Sequence, residues 1–137
     1  MQKEDHQKQK DIAEHKKIMR MIKMGAIDIF KIMKTHPEKR TIEEILYLSY
    51  YLTEKVAFFK NEDFLDKEFM ISVAEKVKFE KYEQYDVIML KGDVGDKMYI
   101  SIQGTFGVYL DKSEFLQNDP VAVIPEYTAI GERALKN

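Results

Sequence analysis

Cysteine is absent from the 137 residues, which excludes disulfide bonds, thiol nucleophiles and cysteine-ligated metals. No apolar run approaches the roughly 20 residues of a membrane-spanning helix. The polar start MQKEDHQKQK lacks the hydrophobic stretch of a secretory signal, and its acids do not suit a transit peptide. An excess of one charge is also missing. The 22 basic and 24 acidic residues leave a net charge of -2, so nothing global points to nucleic acid or to an anionic membrane. Histidine is scarce, and His6, His15 and His36 have no carboxylate cluster at metal-ligand spacing. There is no GxxxxGK[ST] loop and no serine flanked as in a nucleophile elbow. Asp93 and Asp96 sit beside Gly92 and Gly95, the company of turn formers rather than of acid–base or calcium chemistry. These absences predict a cytoplasmic protein that is not an enzyme and carries no cofactor or metal.

What is present suffices for a packed core, with 45% hydrophobic residues in a length that fits one domain plus an extension. Residues 1–11 are almost wholly polar and read as a frayed tail. Over residues 12–36, Ile18, Ile22, Ile29 and Met33 recur at helical spacing, widened by Met19, Ala26 and Phe30. Lys16, Lys17, Arg20, Lys23, Lys31 and Lys34 fill the polar faces, with Asp28 as the one acid among them. The pattern predicts a basic amphipathic helix, weakened at Gly25 by about 1 kcal/mol and ended by Thr35-His36-Pro37. Such a helix either docks on its own domain or a neighbouring subunit, or offers Met, Ile and Phe to a partner's groove as a calmodulin-type target or assembly helix.

A second helix is expected from Thr41, with Glu44 completing a capping box, to about Lys55. Its stripe is Ile42, Ile45, Leu46, Leu48 and Leu52, with Tyr47, Tyr50 and Tyr51 adding bulk. Phe58-Phe59 reads as a turn plugging into the core. Asn61 or Asp63 then caps a third helix carrying Phe64, Leu65, Phe69, Met70, Val73 and Val77.

From residue 86 the period changes to two. Met98, Ile100 and Ile102 alternate with polar neighbours, as do Phe106, Val108 and Leu110 beyond Gly104, which is placed for a hairpin turn. Gly92-Asp93-Val94-Gly95-Asp96 separates an earlier apolar run, residues 86–90, from these. A polar loop over 111–120 leads to one more strand at Val121-Ala122-Val123-Ile124. The closing Ile130-Gly131-Glu132-Arg133-Ala134-Leu135 permits a tight turn into one helical turn, whose free N–H groups suit a phosphate. Pattern alone describes a β-meander with a surface turn at its end.

Two separated motifs in a fixed order carry more. Phe79-Glu80-Lys81-Tyr82 and residues 86–100 with Gly92 and Gly95, extended by Gly104 and Val108, and after them the second motif, residues 130–135, resemble the cyclic nucleotide-binding domain family over residues 41–137. The resemblance implies an α+β fold, an antiparallel jelly-roll-like β-roll preceded by helices. It implies a cAMP or cGMP ligand, with Glu132 taking the ribose hydroxyl and backbone amides at Gly131, Ala134 and Leu135 meeting the cyclic phosphate. Gly92, Gly95 and Gly104 match glycines that shape the roll. The family's cassette continues into a Pro-Arg-Ala segment, and Arg133 stands where the family commonly has an apolar residue. The sequence stops at Asn137, so the expectation is a roll lacking its C-terminal strands, its lid helix and the phosphate-binding arginine. The implied function is a regulatory nucleotide-sensing module. The alternative is a structural or assembly protein, cytoskeletal or ciliary, that keeps the roll as a scaffold. Its protein partners would dock on the helix at 12–36 or on the open roll edge.

Overall fold

The computed structural model describes residues 2–61, 66–90, 97–109 and 119–131. Among these residues, five α-helices and four short strands make the fold α+β. It divides into a helical unit, residues 1–55 with 62–79, and a strand unit, residues 56–61 with 80–137.

Helix α1 runs Gln2–Lys23, so the polar stretch expected to fray is helical. The single helix expected over 12–36 is two. Gly25, at φ 83°, ends α1 in the left-handed conformation that glycine adopts at least cost. The N–H of Ala26 donates to Met21 O at 2.9 Å and that of Gly25 to Ile22 O at 3.1 Å, a Schellman closure that satisfies two terminal carbonyls. The chain restarts as α2, Ile29–Lys34, with the Asp28 carboxylate accepting the N–H of Lys31. Thr35 closes it, and a 3-10 turn over Pro37–Lys39 follows.

Helix α3, Ile42–Lys55, opens on the predicted capping box. Thr41 N–H donates to Glu44 Oε1 at 2.9 Å and Glu44 N–H to Thr41 Oγ1 at 3.1 Å, a pairing worth ~1 kcal/mol. Leu48, Ser49, Tyr50, Tyr51 and Leu52 are consecutive and all buried. A helix covered on every side is a core helix, and α3 packs against α1, α2 and α5. Ile42, expected in this stripe, is 85% exposed because it occupies the first helical position, ahead of the packed turns. Phe58 and Phe59 lie in α4, Ala57–Asn61, rather than in a turn. Helix α5, Lys67–Lys76, is capped by Asp66, which accepts the N–H of Phe69 at 2.8 Å. Asp66 therefore replaces the expected Asn61 or Asp63, and residues 62–65 lie outside the description.

In the strand unit, β1 (Tyr99–Ile100) pairs antiparallel with β4 (Ala129–Ile130), and β2 (Phe106–Val108) with β3 (Ala122–Ile124). The outer pair thus encloses the inner one. The hairpin expected across Gly104 is not formed, since β1 and β2 each pair with a later segment. No strand forms over 87–90. Between the two pairs, residues 101–105 face residues 125–128, five against four, so the register slips by one. Such a slip bends and twists a ribbon as a bulge does.

Candidate functional site

The bend of the ribbon is organised by Ser101, which is 3% exposed. Its hydroxyl donates to Pro125 O at 2.6 Å and accepts the N–H of Thr128 at 3.0 Å. Its own N–H donates to Thr128 O. Gly104, at φ 81°, donates its N–H to Glu126 Oε2 at 3.1 Å. The polar groups at this bend satisfy one another, as buried ones must.

One strand later lies Gly131, the first residue of the predicted phosphate cassette. It leaves β4 at φ 79°, and a Cβ there would stand 2.7 Å from the carbonyl oxygen of Lys97. Both the backbone angle and the close approach therefore require glycine. Of the other predicted ligand residues, Glu132, Ala134 and Leu135 lie outside the described residues, as do the roll glycines Gly92 and Gly95. Ahead of the strands, the Tyr82 hydroxyl donates to Glu80, and this bond pushes the exposed phenol up to about 12.

The helical unit holds two polar constellations that no sequence period announces. The first is Arg40, 6% exposed. Its Nε donates to Ile32 O at 3.1 Å and Nη2 to Met33 O at 2.9 Å, at the end of α2. Its Nη1 donates to Ala74 O at 2.9 Å and Val77 O at 2.7 Å, at the end of α5. One guanidinium thus satisfies the last carbonyls of two helices and faces the negative ends of both dipoles. Burial lowers its pKa from the ordinary arginine value, opposed by nearby Glu44. A cation so used is structural.

The second constellation lies where α1 meets α3 and α5. The His15 ring sits 4.8 Å from that of Tyr50, whose hydroxyl reaches Glu14 Oε2 at 3.4 Å. The Lys67 ammonium stands 5.8 Å from the Tyr50 centroid and 3.4 Å from Asp11 Oδ1. Burial raises the Tyr50 phenol, with Lys67 opposing and Glu14 assisting. His15 Nε2 is buried with no hydrogen-bond partner. These groups fasten α1 to the core, and none forms a nucleophile–base pair. A shallow depression of about 360 Å³ lined by Asp28, Phe30, Lys31, Lys34 and Thr35 opens beside α2, and its carboxylate is already engaged as the α2 cap. Among the described residues no group of three or more His, Asp or Glu could hold a metal ion, and no helix is long and apolar enough to cross a membrane.

The α1 stripe answers one alternative posed by the sequence. Ile18 is buried and the helix packs on α3, as the alternative of docking on its own domain expects.

No family model matches the chain, and no curated protein or solved structure is similar to it.

Proposed function

We propose that the strand unit is a regulatory cyclic nucleotide-binding module, with cAMP or cGMP as its ligand and no catalysis of its own. The observation that carries this reading is the place of Gly131. It stands at the exit of β4, left-handed and against the Lys97 carbonyl, where the motif Gly131-Glu132-Arg133-Ala134-Leu135 begins. The nested pairing of β1 with β4 around β2 with β3 supports it, because jelly-roll-type folds are built from such ribbons. In this reading Glu132 accepts the ribose hydroxyl. The amides of Gly131, Ala134 and Leu135 meet the cyclic phosphate, as free N–H groups at a helix start do, and Gly92, Gly95 and Gly104 shape the roll.

Titration calorimetry of the whole chain with cAMP and with cGMP tests it. Micromolar binding of either nucleotide, weakened about tenfold or more by Glu132→Ala, is expected. A folded chain that takes up neither nucleotide at millimolar concentration sinks the reading. That outcome would leave the scaffold role, which the exposure of Val108 and Val123 on the inner strand pair, and of Val121 beside it, favours.

A further inference from the structure

The charge of this chain is segregated. Residues 16–34 hold six cations against one carboxylate, a net of +5 in a chain of net -2, so the remainder carries -7. On α1, Lys16, Arg20 and Lys23 stand at i, i+4 and i+7 and so share one face, with Lys17 on its flank. All four are exposed. The opposite side of the helix carries the buried Ile18 and the Asp11, Glu14 and His15 groups that meet α3 and α5. None of the four cations has an ion pair among the described residues, whose pairs are Lys67 with Asp11 and Lys81 with Glu83.

Local physics accounts for only part of this face. Arg20 and Lys23 lie in the last turn, where the helix dipole favours cations. Lys16 and Lys17 lie before it. Like charges three and four residues apart destabilise a helix by about 0.2–0.5 kcal/mol per pair. The Lys16–Arg20 and Arg20–Lys23 spacings therefore cost stability that no carboxylate of this helix face offsets.

We propose that the outer face of α1, formed by Lys16, Lys17, Arg20 and Lys23, docks an extended acidic segment of another polypeptide. The stripe rises about 10 Å along the helix, the reach of about four residues of extended chain. Alternate or consecutive Glu and Asp side chains along such a segment meet the four cations in one pass. A broad anionic surface fits less well. Attraction to a membrane or a nucleic-acid duplex draws on overall charge as well as on one stripe, and the chain as a whole is net -2. Lipid insertion would further need the apolar face of α1, and that face is buried against α3. The inference does not depend on the nucleotide reading.

The test uses the whole chain and a fluorescein-labelled octaglutamate peptide, read by fluorescence anisotropy. Binding is expected at low salt, weakening about tenfold or more towards physiological ionic strength as screening sets in. The double variant K16E/R20E should weaken binding about tenfold or more, and K16Q/R20Q by an intermediate factor. The variant K55E/K76E makes the same change in net charge on exposed lysines elsewhere in the helical unit, and should bind within about twofold of the parent. Far-UV circular dichroism checks that each variant keeps its helix. Equal losses in K55E/K76E and K16E/R20E would reduce the effect to net charge and overturn the proposal. Capture of the chain by phosphatidylserine vesicles or by duplex DNA, with the peptide unbound, would overturn it in favour of those partners.

Discussion

The two units of this chain are held by different means. In the helical unit, Ile18, Ile27, Ile29, Ile32, Met33, Leu48, Tyr50, Tyr51, Leu52, Met70 and Ala74 are buried, and helix ends are closed by named side chains. In the strand unit the buried apolar side chains among the described residues are Val56, just before α4, and Phe59, within it, and none lies in the strands. Val108, Val121 and Val123 are 37%, 56% and 57% exposed. A two-stranded ribbon is at best marginal alone, so its order rests on backbone pairing and on the Ser101 bend. The helical unit has the makings of an independent scaffold, whereas the strand unit is where a ligand or partner has stability left to add.

The sharpest way to break this contrast is to remove Arg40. Arg40→Ala removes the guanidinium donor from four carbonyls at the ends of α2 and α5, of which Ile32 O keeps the N–H of Thr35, and should destabilise the helical unit by about 3–5 kcal/mol. Urea unfolding followed by far-UV circular dichroism measures it. Arg40→Lys should recover only part, because one ammonium cannot reproduce a planar fork of donors. A loss below about 1 kcal/mol for Arg40→Ala would mean that water replaces the guanidinium, and the clamp would lose its importance.

Truncations to alanine in the two units sharpen the comparison next. Leu48 is fully buried and Val123 is 57% exposed. Leu48→Ala should cost about 3 kcal/mol through lost burial and a residual cavity, and Val123→Ala less than about 0.5 kcal/mol. The same urea titrations decide it. A Val123→Ala loss as large as that of Leu48→Ala would show that the strand face is covered in solution.

Which of these features could be read in advance follows from the distance between partners. The Thr41–Glu44 box and the stop at Thr35-His36-Pro37 are local and legible. The stripe of Ile18, Ile29 and Met33 was legible as apolar, but the break at Gly25 was not, because a mid-helix glycine and a terminating one look alike in sequence and differ in backbone angle and in the carbonyls they leave to be closed. Arg40 gave no signal, since its acceptors lie 7, 8, 34 and 37 residues away. The same limit misled the strand reading. Gly104 beside two alternating runs is a short-range hairpin pattern, yet Ser101 finds its partners at Pro125 and Thr128, 24 and 27 residues on. Gly131 was legible as a turn, and the reason it must be glycine, the Lys97 carbonyl, was not. Of the candidate ligand set, only Gly131 falls within the described residues.

The smallest expected effect concerns pH and the α1 anchor. Burial raises the Tyr50 phenol above its ordinary value, with Lys67 opposing. The folded state therefore holds this proton more tightly than the unfolded chain, whose tyrosines titrate near about 10. Its stabilising contribution is complete below that value and is lost as pH rises through the folded one. Lys67 acts in the same direction. Burial pulls its ammonium down, but Tyr50 and Asp11 more than offset this and leave it raised. Tyr50→Phe removes the phenol and the chief group raising Lys67 while keeping the ring against His15. It should cost less than about 1 kcal/mol at neutral pH, since the contact with Glu14 is long, and should flatten the fall in stability at alkaline pH. Urea midpoints of parent and variant compared at pH 8, about 10 and about 11 provide the measurement. Parallel curves would place the alkaline loss elsewhere, whereas convergence at high pH would locate it where α1 meets α3 and α5.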